Sequence, residues 1–132
     1  MPLSNPSRRG KYANTIGRQA EEAVAQHLLN NNYVLLGRNV RIGHLELDIV
    51  ARKGPLVAIV EVRHRGPTAW TTALESITPT KRAKIFAAAD RLWTTRLASD
   101  PTIHRVRMDV AIVTTIPAGH AVEYLEGALT RW

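Results

Sequence analysis

Residues 45–65 read LELDIVARKGPLVAIVEVRHR, and the predicted fold depends chiefly on this stretch. Two apolar runs, at residues 44–51 and 56–63, lie on either side of the turn signal Arg52-Lys53-Gly54-Pro55. Such a pattern predicts two antiparallel strands joined by a short turn, a β-hairpin. The second run is apolar on both faces apart from Glu61 and its polar end, which is typical of a central strand covered from both sides. The hairpin therefore predicts a sheet that is buried between other layers.

Acidic residues interrupt both apolar runs. We expect the apolar residues of the two strands to share one face of the hairpin: Leu45, Leu47, Ile49, Ala58, Val60 and Val62. Because side chains alternate along a strand, four ionisable residues then lie together on the opposite face: Glu46, Asp48, Glu61 and Arg63. A carboxylate in a buried strand needs a partner, so this polar face is the first candidate for a functional site.

Two partners suit the carboxylates of Asp48 and Glu61. Mg²⁺ or Mn²⁺ prefers oxygen ligands, neutralises charge on a phosphodiester and lowers the pKa of a bound water. In that interpretation Glu46 adds a ligand or balances Arg63, and Glu21 arrives from a helix packed on the sheet. The alternative is an ion network with a purely structural role, in which arginines pair with the carboxylates. Four arginines are available for that network: Arg41, Arg63, Arg65 and Arg107.

The sequence before the hairpin predicts one helix and one strand. Apolar residues recur at helical spacing from Asn14 or Thr15 onward and form one stripe: Ile16, Ala20, Ala23, Val24, His27 and Leu28. Glu21 falls beside this stripe, so its carboxylate can face the edge of the core. Asparagines at positions 30–32 end the helix, and residues 33–40 supply a first strand.

The sequence after the hairpin predicts a second helix and two more strands. Thr78 is a typical N-cap with Pro79 at the first helical position, and the helix runs to about Ala98. It buries four residues: Ile85, Ala88, Ala89 and Leu92. Its first turns carry Lys81, Arg82 and Lys84, which form a phosphate-binding corner or an exposed basic turn. Residues 106–113 and 121–125 are expected to form the last two strands.

Composition narrows the classes of protein to which the chain can belong. The 132 residues carry a formal charge of +7, which favours nucleic acid as a partner, although a solvated basic surface explains the charge as well. The chain has no cysteine, which excludes disulfides and thiolate chemistry. We expect a flexible basic arm at residues 1–13, one domain at residues 14–132, no membrane span or export signal, and a cytoplasmic location.

At these residues the chain resembles the YraN-like family of uncharacterised bacterial proteins. That family is assigned to the PD-(D/E)XK superfamily of restriction-endonuclease-like and Holliday-junction-resolvase-like nucleases. The resemblance extends from about Gly17 to Ala128 and rests on these motifs: Gly17-Arg18-Gln19-Ala20-Glu21, Tyr33, Arg38-Asn39, Arg41, Leu45-Glu46-Leu47-Asp48, Val60-Glu61-Val62-Arg63, Arg65, Thr78, Lys81 and Arg107-Met108-Asp109-Val110.

The resemblance implies an α/β fold, a restriction-endonuclease-like three-layer sandwich with a central mixed, mostly antiparallel sheet flanked by helices. It further implies a metal-dependent DNA endonuclease acting on branched or damaged DNA, with a homodimer fitting such action. Mg²⁺ or Mn²⁺ would be held by Asp48, Glu61 and the Val62 carbonyl, with help from Glu21 and Glu46. The DNA backbone would contact five basic residues: Arg41, Arg65, Lys81, Arg82 and Lys84.

One position departs from the family pattern. The superfamily has a catalytic lysine where this chain has Arg63, and a guanidinium does not give up a proton readily. Either Arg63 acts only through its charge, or a lysine such as Lys81 or Lys84 reaches in from the second helix. In a third interpretation the chain is a catalytically inactive nucleic-acid-binding module with a nuclease-like fold. A protein-interaction module, whose charge serves only solubility, is the alternative outside nucleic-acid chemistry.

Overall fold

The computed structural model describes residues 15–65 and 74–130. The elements follow in this order: α1 (Thr15–Asn30), β1 (Val34–Ile42), β2 (Leu45–Lys53), β3 (Leu56–Arg65), α2 (Pro79–Leu92), a π-helical segment (Trp93–Leu97) that continues α2, β4 (Arg105–Ile116) and β5 (Gly119–Leu125). All predicted helices and strands are present, with strand ends that differ by a few residues. The predicted basic arm, residues 1–13, lies outside the described residues.

The five strands form one sheet in the order β1-β2-β3-β4-β5. Strands β3 and β4 are parallel, whereas the other three neighbouring pairs are antiparallel. Parallel strands need a crossover connection, and α2 lies in the connection between β3 and β4. The predicted class, a mixed and mostly antiparallel sheet with helices on its faces, is therefore confirmed.

The core is divided into two clusters by the sheet, one under each helix. The cluster under α1 includes these residues: Ala20, Val24, Leu28, Ile49, Val60 and Val113. The cluster under α2 contains Val50, Ile59, Val110 and the four residues predicted on the buried side of this helix. Ile16, predicted on the apolar stripe of α1, is instead 53% exposed. The two clusters place one helix on each face of the sheet, which gives the three layers.

One prediction about the hairpin is wrong. Leu45 and Leu47 pack in the cluster under α2, whereas Ile49 packs in the cluster under α1. Leu47 and Val50 thus share a cluster although they are three positions apart, an odd spacing that regular alternation places on opposite faces, so the alternation along β2 breaks at this point. Asn39 of β1 lies opposite this break and has a φ of 52°. Its neighbours in β1 form the pairs Arg38↔Ile49 and Val40↔Leu47. This left-handed residue interrupts the regular pleat of the neighbouring strand.

No helix in the described part of the chain is long and apolar enough to cross a membrane.

Candidate functional site

The site lies where β2 and β3 part. Their antiparallel pairing runs from Lys53↔Leu56 to Ile49↔Val60, although both strands continue beyond the second pair. There the backbone N–H of Val62 donates a hydrogen bond to Asp48 Oδ2 at 2.9 Å. A side-chain carboxylate thus takes the position that a strand carbonyl occupies in a regular ladder. The opening brings Asp48 next to Glu61, as the sequence predicted.

Glu61 affects the ionisation of Asp48. Burial, followed by the negative charge of Glu61, raises the pKa of Asp48 from its ordinary 3.8 to about 7. The Val62 N–H and the charge of Lys81 oppose this rise of the Asp48 pKa. Glu61 itself is buried, with a side chain only 5% exposed. Two acidic groups are therefore held together at a position where a full negative charge on both is unfavourable.

Two cations approach the buried carboxylate of Glu61. Arg63 Nε and Lys81 Nζ each lie 3.7 Å from Glu61 Oε2. At this distance the contacts are ion pairs and not direct hydrogen bonds. Among the described residues the buried Arg63 Nε has no hydrogen-bond partner. Glu61 thus has positive charge nearby, but neither cation satisfies its oxygens directly.

The N-terminus of α2 fixes the position of Lys81. Thr78 is the N-cap, as predicted, and its side-chain oxygen accepts a hydrogen bond from the Lys81 backbone N–H at 3.1 Å. Pro79 occupies the first turn, where its missing N–H is not needed. Because the cap holds the first turn in place, Lys81 is presented to the sheet from a rigid element.

The donor atoms at the pair suit a hard divalent cation. Asp48 and Glu61 offer carboxylate oxygens, and these are the ligands that Mg²⁺ and Mn²⁺ prefer. The N–H and C=O of one strand residue point to the same side, so the Val62 carbonyl faces the side of β3 on which Asp48 lies. A cation between the carboxylates removes the repulsion that raises the pKa of Asp48. Within residues 15–65 and 74–130, however, no group of three or more acidic or histidine side chains is arranged to hold a metal.

The two further carboxylates predicted at the site lie apart from this pair. Glu21 accepts a hydrogen bond from Asn39 Nδ2 at 3.0 Å, and Asn39 stands opposite Asp48 in the register of β1 and β2. Glu21 thus reaches the sheet from the α1 side, one strand away from Asp48. Glu46 is exposed and lies 3.8 Å from Arg41, to which it is also paired in register. Glu46 also lines a cleft together with Lys81, the residue that pairs with Glu61.

The predicted DNA-contacting residues lie on β1, β3 and α2, and Lys81 of α2 reaches the opening through its ion pair with Glu61. A cleft of about 230 Å³ lies beside it and is lined by His44, Leu45, Glu46, Lys81, Lys84 and Ile85. Arg41 adjoins this cleft through its ion pair with Glu46. Arg82 is half-buried, with an Nε that has no hydrogen-bond partner in the described part of the chain, and Arg65 ends β3. Four of the five predicted basic residues therefore lie on β1 or on the first turns of α2.

A second buried acidic group occupies the other face of the sheet. Asp109 on β4 is fully buried and pairs with both Nε and Nη2 of Arg107, at 2.7 and 2.8 Å. The Tyr124 hydroxyl and the Gly127 backbone N–H also donate to it, at 2.5 and 2.8 Å. Arg107 further donates to the Tyr33 hydroxyl at 2.8 Å. Arg107 and Asp109, which lie two residues apart in one sequence motif, are thus partners in an ion pair on β4.

The ionisation of this second cluster is fixed by its own contacts. The hydrogen bond to Asp109 raises the pKa of Arg107, although burial acts in the opposite direction. Burial, followed by the hydrogen bond to Asp109, raises the pKa of Tyr124. Sequence reasoning did not find Tyr124, because the contact joins neighbouring strands and no local pattern marks it. Its ring also stacks on His27 of α1 at 5.4 Å, which supports the structural role predicted for that histidine.

Comparison with known proteins places the chain among relatives of similar length. The family model described as "Uncharacterised protein family UPF0102" matches residues 20–113. A UPF0102 protein of Sorangium cellulosum is 43% identical over 114 residues, which cover 86% of this chain and 79% of the relative. A UPF0102 protein of Bacteroides fragilis is 33% identical over 115 residues, which cover 87% of this chain and 92% of the relative.

Proposed function

The chain belongs to the uncharacterised protein family UPF0102, the family of YraN-like proteins that its motifs resemble, and we propose that it hydrolyses DNA phosphodiesters with Mg²⁺ or Mn²⁺. The observation that carries the proposal is the contact between Asp48 and Glu61 at the opening between β2 and β3. Burial, followed by the negative charge of Glu61, raises the pKa of Asp48 to about 7, because full charge on both buried carboxylates is unfavourable, and a cation bound by both groups would relieve this repulsion. The arrangement therefore supports a binding role over a purely structural one.

Asp48, Glu61 and the Val62 carbonyl are the groups that would hold the metal. When bound, such a cation stabilises the negative charge of a phosphodiester undergoing attack and lowers the pKa of a bound water. The surrounding residues of the chain contribute fixed charge: Arg63 compensates Glu61 from the same strand, and Lys81 and Lys84 line the adjoining cleft. Hydrolysis consumes one water, whose oxygen forms a bond to phosphorus while the bond from phosphorus to the sugar oxygen breaks.

DNA as the substrate follows from charge and from the place of the cleft. The chain carries a net charge of +7, and Lys81 and Lys84 lie beside the carboxylate pair and not on a remote surface. Positive residues near a site that binds a cation attract a polyanion to that site. The same residues give the protein an orientation on the DNA backbone without reading its sequence.

The test is DNA cleavage by the purified protein in Mn²⁺, with branched and linear duplex substrates. We expect Asp48→Asn and Glu61→Gln to abolish cleavage, because each removes a charged ligand and keeps the shape of the side chain. Two matched controls lie elsewhere on the surface, Asp100→Asn beside Arg52 and Glu123→Gln on β5, and we expect both to cleave normally. Cleavage that survives Asp48→Asn would overturn the assignment of the site.

A second candidate function is a nucleic-acid-binding module without catalysis. Arg63 favours it, because this residue stands at the motif position where a lysine is expected, and so does the small number of acidic ligands at the opening. In that case DNA binding falls steeply with salt, no cleavage accompanies any divalent metal, and Arg63→Lys produces no activity. Metal-dependent cleavage by the unmodified protein would exclude this candidate.

A further inference from the structure

Lys81 occupies an unusual position on α2. With about 100° between successive residues of a helix, Ile85, Ala88 and Leu92 lie within about 40° of the direction in which Lys81 points. Together with Ala89, which lies about 80° from Lys81, these three are the buried residues of α2. Lys81 therefore continues an apolar stripe toward the sheet with a charged side chain. Its ammonium group ends 3.7 Å from Glu61 Oε2.

Lys81 does not stabilise α2 from this position. The first turn of α2 contains no acidic residue, and a cation near a helix N-terminus interacts unfavourably with the helix dipole. Arg82 and Lys84 lie about 70° and 90° from the centre of the four buried residues, whereas Lys81 lies about 30° from it, since each residue adds about 100°. Of the three basic residues, Lys81 is thus the nearest to the centre of the stripe, and its ammonium group is the one that pairs with Glu61 in the described part of the chain.

We propose that Lys81 acts in the reaction and not in holding the DNA, by donating a hydrogen bond to a non-bridging oxygen of the phosphate that is cut. This inference rests on the proposed function. Water oxygen forms a bond to phosphorus and releases a proton to solvent, while the electron pair of the broken bond stays on the departing sugar oxygen, which takes a proton from solvent. Lys81 keeps its own protons and stabilises the negative charge that gathers on the non-bridging oxygens.

The comparison with Arg63 supports this role for Lys81. Both cations lie 3.7 Å from the same oxygen of Glu61, but the Arg63 side chain is 26% exposed and the Lys81 side chain is 42% exposed. Lys81 also lines the cleft of about 230 Å³ beside the site. An ammonium group has three donors, so Lys81 can face Glu61 and still donate into the cleft. Arg63 faces Glu61 through a buried Nε and compensates its charge from within the strand.

Single-turnover cleavage, with protein in excess over DNA and Mn²⁺ present, separates a reaction role from a binding role. We expect Lys81→Gln to lower the cleavage rate constant about 100-fold or more, as loss of one donor to a developing oxyanion does. We expect its DNA dissociation constant, measured by fluorescence anisotropy in EDTA, to change less than about threefold. The matched control is Lys53→Gln, at the hairpin turn over the Tyr33 ring, which should change neither quantity.

A role in holding the DNA predicts the reverse pattern. Lys81→Gln would then cut at the normal rate once saturated, and the slope of log affinity against log salt would fall by about one. That result would overturn the role of Lys81 and leave the proposed function intact. If the unmodified protein cuts no DNA, the proposed function and the role of Lys81 fail together.

The affinity for Mn²⁺ in the absence of DNA tests the contact between Lys81 and Glu61 independently of cleavage. Because Lys81 places a positive charge beside Glu61, Lys81→Gln should tighten Mn²⁺ binding severalfold in calorimetry, whereas Lys53→Gln should leave it unchanged. An Mn²⁺ affinity unaffected by Lys81→Gln would contradict the contact between Lys81 and Glu61. Thermal denaturation of each variant, with midpoints within a few degrees of the unmodified protein, ensures that the rates compare folded proteins.

Discussion

Asp109 and Asp48 are acidic residues of the same sheet, and they differ in how their charge is satisfied. Asp109 accepts four hydrogen bonds, two of them from one guanidinium, and is completely buried under α1. Asp48 lies on the other side of the sheet, where it accepts a backbone hydrogen bond from Val62 and has Glu61 as its neighbour. A structural carboxylate therefore differs from a candidate metal ligand in the hydrogen bonds and cations that compensate its charge, and not in burial alone.

The electrostatics of the two regions follow from these contacts. A buried carboxylate with a bidentate arginine and further donors regains much of the solvation it lost, so it can stay ionised. Two carboxylates side by side repel each other when both are charged, and this repulsion adds to burial in raising the pKa of Asp48 to about 7. The charge of Asp109 is thus satisfied within the chain, whereas the proposed function has a cation satisfy the Asp48–Glu61 pair. Four experiments test this contrast.

The largest effect is expected when the same substitution is made in both regions. Asp109→Asn removes the buried counter-charge of Arg107 and leaves it only the exposed Glu126 at 3.6 Å, and we expect a loss of roughly 3 to 5 kcal/mol in the free energy of unfolding. Asp48→Asn, which keeps an oxygen able to accept from the Val62 N–H, should cause no such loss. Urea denaturation at pH 7 measures both changes. Equal destabilisation by the two variants would mean that Asp48 is as structural as Asp109.

The second effect depends on pH. In the metal-free fold the pKa of Asp48 is about 7, above its ordinary 3.8, so the folded state binds more protons than the unfolded state between these values. The stability contributed by Asp48 is therefore full below pH 4 and is lost as the pH rises toward 7. At about 1.4 kcal/mol per pKa unit, the effect is of order 4 kcal/mol.

The comparison of Asp48→Asn with the unmodified protein isolates this pH effect from those of other groups. We expect the variant to match the unmodified protein near pH 4 and to be more stable than it at pH 8, in EDTA at both values. Asp100→Asn is the control, since hydrogen bonds from Thr102 and Arg52 lower the pKa of Asp100 and give no contribution of this sign. A stability difference between Asp48→Asn and the unmodified protein that does not change with pH would contradict the proton held by the pair.

Much of this contrast was accessible from sequence. The hairpin turn and the apolar runs predicted that Asp48 and Glu61 meet, and the spacing of Arg107 and Asp109 puts both on one face of a predicted strand. The cap at Thr78 and the start of α2 were also predicted correctly. These features are local, because each depends on turn chemistry or on the period of a single element.

The remaining features depend on contacts between elements. The break in alternation near Leu47 accompanies the left-handed conformation of Asn39 in the adjacent strand, which no pattern within β2 encodes. The donation from Tyr124 to Asp109 requires knowledge of which strands are neighbours. The side of α2 on which Lys81 lies, by contrast, follows from the sequence. Its spacing to Ile85, Ala88 and Leu92 is that of one helix face.

The third effect is the change in thermal stability on metal binding, which we expect to depend on Asp48. A cation that binds only the folded protein stabilises it by about 2.7 kcal/mol at 100 times its dissociation constant. We expect Mn²⁺ to raise the thermal midpoint of the unmodified protein and of Asp100→Asn, and to leave that of Asp48→Asn unchanged. An equal shift in Asp48→Asn would place the Mn²⁺ site elsewhere and remove the reason for treating the two carboxylates differently.

The smallest effect probes how completely the Asp109 cluster is satisfied. Tyr124→Phe removes the hydroxyl that donates to Asp109 at 2.5 Å and keeps the ring that stacks on His27. Because Arg107 and the Gly127 N–H still donate to Asp109, we expect a loss of about 1.5 kcal/mol in urea denaturation, at the low end for a hydrogen bond to a charged group. DNA cleavage and Mn²⁺ binding should not change, since the cluster lies on the face of the sheet opposite Glu61. Loss of Mn²⁺ binding in Tyr124→Phe would show that the two acidic regions are coupled through the sheet and do not act independently.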